Sequence, residues 1–280
     1  MAGRSLRELR RRIKAVMGIE KLTDAMKKVA TARLHRFQRQ LFSSRPYMDA
    51  LFSMTESLLF PSLSHPFFEE REVKRAGIIA ITSERGLCGG YNMNIFRAVE
   101  NLAKGFPDVL LFVVGRMGQR HFSVLPYKID KNFPFPPLGF TLQDVYPVWE
   151  ASSRAFLEKE IDTLYIVYTH FHSPTALLPT TRRLLPVERK AEEREFIFEP
   201  KLEILLDHLL SHYLHLQIYR AMLESATSEQ SARYIAMDMA TQNANRLLHS
   251  LRIQYNKERQ AQITKEITEI VGGAEVLKGG

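Results

Sequence analysis

From Lys201 to Val271 the chain contains neither glycine nor proline. Nothing in that run removes a backbone donor or invites a left-handed turn, so it is free to stay helical throughout. At the rise of an α-helix it reaches on the order of 100 Å, several times the diameter of a small domain. A helix of that length cannot bury itself in its own globule. It requires partners along its length.

The N-terminal segment offers one. Leu6, Leu9, Ile13, Val16, Ile19, Leu22, Met26 and Val29 recur three or four residues apart, a narrow apolar seam on a polar rod. Gly18 is tolerated within it at about 1 kcal/mol. The spacing predicts a helix to about Arg45, ended by Pro46, and a second piece to Phe60 before Pro61. Late in the chain, Met237, Ala240, Ala244, Leu247, Leu251 and Tyr255 form a matching stripe, preceded by Leu202, Leu206, Leu209, Tyr213, Leu216, Tyr219 and Leu223. Two stripes of this kind pair as a two-helix coiled coil. If both termini leave the same central domain, the pair is antiparallel.

The middle of the chain has a different pattern. Residues 77–82, 109–114 and 163–168 are short, near-continuous apolar runs of β type. Helical segments at Asn92–Lys104 and Leu142–Glu160 separate them. This predicts an α/β unit of Rossmann-like type with a mainly parallel sheet. The expected division is 1–60 as N-terminal coiled-coil helix, 61–200 as central α/β domain and 201–280 as C-terminal coiled-coil helix. The proline-rich stretch 133–137 reads as a connector, with a polyproline ligand as the alternative.

The net charge of +8 is concentrated at one end. Residues 1–40 carry twelve basic and three acidic side chains, +9, and the remainder carries 27 basic and 28 acidic, −1. Such an arm suits an acidic partner: nucleic acid, an anionic membrane surface or acidic protein loops. Residues 1–36 lack aromatic side chains for base stacking, which disfavours single-stranded nucleic acid. Cys88, the sole cysteine, excludes an internal disulfide and agrees with a reducing compartment. No apolar run has the length of a signal-peptide core or of a membrane span.

Three groups are candidates for chemistry. Gly86-Leu87-Cys88-Gly89-Gly90-Tyr91-Asn92 joins a strand to a helix, where α/β folds hold phosphates. Its glycine spacing matches neither a dinucleotide fingerprint nor a P-loop, so it reads as a tight turn with Asn92 as helix N-cap. Cys88 lies near that helix N-terminus but has no base close in sequence. His208, His212 and His215 share one helical face; the first two have metal-ligand spacing, yet the glutamate of a zinc-protease motif is missing and a surface face is the simpler reading. No constellation makes an active site, and no cofactor is expected.

Several stretches carry a resemblance. Leu6-Arg7-Glu8 and the run Lys21 to Ala30, the loop Ser83 to Asn92, Leu223 to Thr227, and Tyr255 to Ala274 together resemble the gamma subunit of the rotary F-type ATP synthase. The likeness spans nearly the whole chain in order. Lys28, Glu84 and Val276 depart from the family's usual residues. The resemblance implies a non-catalytic central rotor shaft that couples ion flow through the membrane sector to ATP synthesis or hydrolysis at the beta subunits. It implies the alpha and beta subunits, the epsilon subunit and the membrane c-ring as partners, with one copy per complex and no nucleic acid. It also implies a peripheral place on the cytoplasmic face of the bacterial plasma membrane. By motif matching, Met26, Lys27, Lys28, Arg259, Gln260, Thr264 and Glu269 are the residues expected to contact beta, with Glu269 near Met26. A basic coiled-coil protein that binds nucleic acid or serves as a scaffold is the alternative.

Overall fold

The computed structural model describes residues 2–136, 139–189 and 202–278. Two compact units emerge: residues 1–29 with 234–280, and residues 30–233. Their boundaries fall inside the two long helices α1 (Ala2–Ser57) and α5 (Leu202–Lys278), whereas the division read from sequence follows element ends.

The larger unit is built on a sheet of β1 (Arg75–Ile81), β2 (Asp108–Val114), β3 (Lys128–Phe133), β4 (Thr163–Phe171) and β5 (Leu177–Leu185), in the order β3-β2-β1-β4-β5. The first four strands run parallel, and β5 is antiparallel to β4. The alternation of side chains along a strand splits the core in two. Ile78, Ala80, Leu111 and Val113 pack with Ile95, Val99 and Phe122 from α2 (Tyr91–Ala103) and α3 (Arg116–Phe122). Ile79, Ile81, Leu110 and Phe112 belong to the opposite core. That core includes Trp149 and Phe156 of α4 (Leu142–Leu157), Phe37, Leu41, Met48 and Phe52 of α1, and Leu210, Leu214 and Ile218 of α5.

The expected strands and covering helices are present to within a few residues. Three elements were not legible in sequence. β3 and β5 are edge strands, and edges carry polar and charged residues that blunt pairing with other chains; Lys128, Asp130, Lys131, Pro179, Arg182 and Arg183 hide both from an apolar-run reading. The third, α3, is only seven residues long.

Pro46 does not end the first helix, contrary to expectation. α1 runs through it to Ser57, in one element instead of two. The proline costs one backbone hydrogen bond there. The buried Leu41, Met48 and Phe52 hold the helix against the core on either side of it. Thr227-Ser228-Glu229, read from sequence as the weakest helical stretch, is helical and buried.

Candidate functional site: a protein interface on the helix pair

In the smaller unit, α1 and α5 lie antiparallel. Arg10 bonds Tyr255 at 2.6 Å, Thr241 donates to Thr23 at 2.8 Å, and Lys27 pairs with Asp238 at 3.1 Å. Each step forward on α1 is thus one step back on α5. The positions turned inward are Leu6, Leu9, Ile13, Val16, Glu20, Thr23 and Lys27, against Met237, Thr241, Ala244, Leu248, Leu251 and Tyr255. Both sets alternate three and four apart, the heptad spacing of a coiled coil.

This register amends the sequence stripes. Leu248, not Leu247, is the seam residue; Leu247 is half-exposed. Ile19, Leu22 and Val29 lie on the outside of α1. Sequence periodicity admitted two overlapping stripes, and the polar seam residues Glu20, Thr23 and Lys27 hid the true one. The Thr23–Thr241 bond and the Lys27–Asp238 pair act as register markers, since a shifted pairing leaves them unmatched.

Lys27 and Lys28 are both engaged within the pair, Lys27 with Asp238 and Lys28 with Asp24 at 2.7 Å. Hydrogen bonding to Lys28 holds Asp24 below the usual carboxylate value, and hydrogen bonding to Asp238 raises Lys27 above the usual ammonium value. A lowered acid contributes stability above its ordinary pKa, lost as pH falls through the folded value. A raised base contributes below its ordinary pKa, lost as pH rises through the folded value. Both pairs therefore stay intact between about pH 5 and 9. Circular dichroism melts over that range should show no titration from these pairs, with losses only at the acid and alkaline extremes.

Met26 is half-buried, and Arg259, Gln260, Thr264 and Glu269 are exposed on α5. The expectation that Glu269 joins Met26 is wrong. On the observed register Met26 lies level with residues near Asp238, and Glu269 lies roughly 45 Å further along α5. Antiparallel order was inferred correctly, but register decides neighbours, and α5 outruns α1. Ala2 falls opposite residues 262–263, so Glu269 has no α1 residue across from it; it pairs with Lys265 on its own helix at 3.6 Å.

From Ile263 onward α5 carries a stripe that stands exposed among the described residues. Ile263, Ile267, Ile270 and Val271 share one face and are 47%, 55%, 72% and 53% exposed. Burying an isoleucine side chain is worth about 1.5–3 kcal/mol, so this face favours association with another surface. The four-and-three spacing of these residues is visible in sequence beside the polar residues expected to contact beta.

The loop 83–90 belongs to the larger unit and is a structural turn. Gly89 and Leu87 both take positive φ, +56° and +62°. Asn92 is not the N-cap; α2 starts at Tyr91 after Gly90. Instead, Asn92 folds back to accept from the Ser83 N–H at 3.0 Å and to donate to the Ser83 hydroxyl at 2.7 Å. Its Nδ2 also lies 3.2 Å from Cys88 Sγ. Cys88 is 2% exposed, and burial, with the Glu229 carboxylate nearby, pushes its thiol pKa up. Native Cys88 should thus resist alkylation at pH 8 and react at the rate of a free thiol once unfolded. Rapid labelling of the folded chain with a thiol reagent would contradict this.

His212 Nε2 lies 3.2 Å from the Tyr47 hydroxyl, and His215 packs edge-on to Tyr146. Burial lowers the His215 pKa. Among the described residues no group of three His, Cys, Asp or Glu side chains is placed to hold a metal ion. A cavity of about 520 Å³ lies beside β5, lined by Glu56, Arg182, Arg183, Glu188, Tyr213 and Gln217 among others. Its polar groups satisfy one another: Arg182 bonds Gln217, Arg183 pairs with Glu188, and Tyr213 bonds Glu56.

Residues 5–277 match the family model for ATP synthase. The ATP synthase gamma chain of Heliobacterium modesticaldum is 37% identical over 286 residues, covering 97% of this chain and 99% of that one. The chain belongs to the ATP synthase gamma chain family. The gamma chain of Desulforamulus reducens is 38% identical, covering 98% of this chain and 99% of its own length. Among solved structures, a chain of the Euglena gracilis mitochondrial ATP synthase, OSCP/F1/c-ring assembly, matches with a TM-score of 0.79 at 20% identity, covering 99% of this chain and 96% of that one. A chain of the Tetrahymena thermophila mitochondrial ATP synthase central stalk and c-ring matches with a TM-score of 0.62 at 23% identity, covering 78% and 99%. At those identities the structural likeness establishes the fold that gamma chains share with this one: terminal helices packed together and a mainly parallel α/β unit. Among the described residues, no helix is long and apolar enough to cross a membrane.

Proposed function

We propose that this chain is the central rotor shaft of an F-type ATP synthase. It couples ion flow through the membrane sector to ATP synthesis or hydrolysis at the beta subunits by rotating, and carries no catalytic groups of its own. The observation that carries this reading is the full-length identity to ATP synthase gamma chains. The apolar tip stripe of α5 supports it, because that face needs a surrounding surface. Alpha and beta subunits form that surface, and the α/β unit meets epsilon and the c-ring. The complex sits peripherally on the cytoplasmic face of the bacterial plasma membrane. Coupling arises because an asymmetric shaft presents different faces to successive beta subunits, each favouring a different site conformation through differential contact energy.

Arg259, Gln260, Thr264, Glu269 and Lys28 stand exposed for polar contacts with beta, and the half-buried Met26 offers an apolar one. Charge reversal at Lys27 is a poor probe of those contacts, since it sets two carboxylates side by side at Asp238. The tip is a cleaner one. Co-expressed with alpha and beta subunits, the wild-type chain should co-purify with them and rotate during ATP hydrolysis. I267D/I270D should weaken that assembly while changing the stability of the isolated chain by less than about 0.5 kcal/mol, because both positions are exposed. Failure of the wild-type chain to associate, together with steeply salt-dependent RNA binding, would favour the nucleic-acid alternative.

A further inference from the structure

Residues 221–233 of α5 are buried on every face of the helix. A helix enclosed all round is ordinarily apolar throughout. This stretch is not: Glu224, Ser225, Thr227, Ser228, Glu229, Gln230, Ser231 and Arg233 make up most of it. The Thr227 hydroxyl bonds back to the Leu223 carbonyl of its own helix and the Gln230 side-chain oxygen is left without a partner, but several of the other polar groups reach dedicated partners off the helix. Toward β4, the Thr169 N–H donates to the Ser225 hydroxyl at 3.1 Å, and the Ser228 hydroxyl donates to the Thr169 carbonyl at 3.4 Å. The Ser231 hydroxyl donates to the Pro174 carbonyl. Toward the loop before α2, Arg233 pairs with Glu229 at 2.6 Å and donates to the carbonyls of Arg85 and Gly86. The wholly buried Glu224 receives His170 of β4 on one oxygen and Arg220 on the other, and Arg220 reaches on to Asp49 of α1.

We propose that residues 221–233 form a polar collar that keys α5 into the α/β unit, so that the helix can neither turn about its axis nor slide in its socket. Resting on the reading of the chain as a rotor shaft, the collar residues are positioning residues: they keep torque from being lost as slip of α5 within the base. The physical basis is directional matching. Apolar packing tolerates a shifted helix if volume is kept, but buried hydrogen bonds and ion pairs do not. Moving α5 by one residue turns its side chains through about 100°, which parts the buried Glu224 from His170, Arg233 from the Arg85 and Gly86 carbonyls, and Ser225 and Ser228 from Thr169. The chain also uses serines here, small enough for close approach of α5 to β4 yet able to bond a specific carbonyl or N–H.

Two variants test this. S225A/S228A removes both bonds to Thr169 with almost no change of volume, and E224Q removes the buried charge while keeping its shape. In amide hydrogen exchange of the isolated chain, residues 221–233 should be among the last of α5 to exchange, and S225A/S228A should speed their exchange by about tenfold. Fast exchange there in the wild-type chain, or no change in S225A/S228A, overturns the collar. In the assembled complex reconstituted into vesicles, both variants should hydrolyse ATP, yet take up about twofold less ion, or worse, per ATP than wild type. Unchanged uptake per ATP in S225A/S228A overturns the positioning role even if E224Q fails to fold. Absence of coupled uptake in the wild-type complex instead overturns the rotor reading, and the exchange measurement then decides the collar alone.

Discussion

Arg233→Ala should cost the chain about 3–5 kcal/mol of stability at neutral pH. Arg233 and Glu229 are both at least nine-tenths buried, and the guanidinium also donates to the Arg85 and Gly86 carbonyls. Truncation leaves an unpaired buried carboxylate and two carbonyls without their donor. The replaced pair was not itself a large gain, since desolvation offsets much of its attraction; the cost comes from stranding one half. Burial already raises the Glu229 pKa despite Arg233, and removing Arg233 withdraws the charge that opposed that rise. A carboxyl with a raised folded pKa favours the folded state most at acid pH, with that advantage lost as pH rises through the folded value. The variant's deficit should therefore shrink on acidification. Urea unfolding at pH 7 and at pH 5 measures both. A deficit below about 1 kcal/mol at pH 7, or one that grows toward pH 5, would contradict the account.

The second large effect is at Gly115→Ala. Gly115 follows β2 and takes φ +94°, a conformation that strains any other residue. A Cβ built there would stand 2.3 Å from the Thr82 carbonyl oxygen and 2.9 Å from that of Ser83. Both obstacles are backbone. Thr82 is also fixed in place: its N–H and hydroxyl bond the Val114 carbonyl, and its hydroxyl oxygen accepts from the Gly118 N–H at 2.9 Å. The β1 and β2 ends must separate to admit one methyl group. We expect a loss of about 3 kcal/mol or more, read as a lower unfolding midpoint with an unchanged denaturant slope. Gly90→Ala serves as the control, because its nearest non-neighbour atom is 3.9 Å away, at the end of Asn94.

Much of the architecture was legible because it rests on periodicity. The run without glycine or proline from Lys201 to Val271 lies inside α5, and the three apolar runs became β1, β2 and β4. Edge strands escaped because a half-solvated edge does not need an apolar run. The helix stop at Pro46 failed because tertiary packing outweighed one lost backbone bond, and sequence shows only the latter. The candidate site was legible as a region and less so in detail. The spacing of Ile263, Ile267, Ile270 and Val271 is visible within residues 255–274, but that this face stays exposed depends on the register, which is not written in either helix alone.

By itself the sequence determined that two long helices flank an α/β unit, that the termini pair antiparallel, and that the positive charge gathers at one end. The first and last follow from composition and spacing along single segments, which is local information, and antiparallel pairing follows once both helices leave the same domain. Only the tertiary structure decided which stripe of α1 is the seam, that Glu269 lies far from Met26, and that residues 221–233 are enclosed. These depend on register and on what surrounds a helix from other parts of the chain. A polar stretch such as Thr227-Ser228-Glu229 reads as weak helix or solvent surface when considered alone. Enclosed by β4, the loop after β1 and α1, Ser228 bonds the Thr169 carbonyl, and Glu229 pairs with the Arg233 that reaches the Arg85 and Gly86 carbonyls, so a stretch that looks weak alone becomes part of what holds α5 in place.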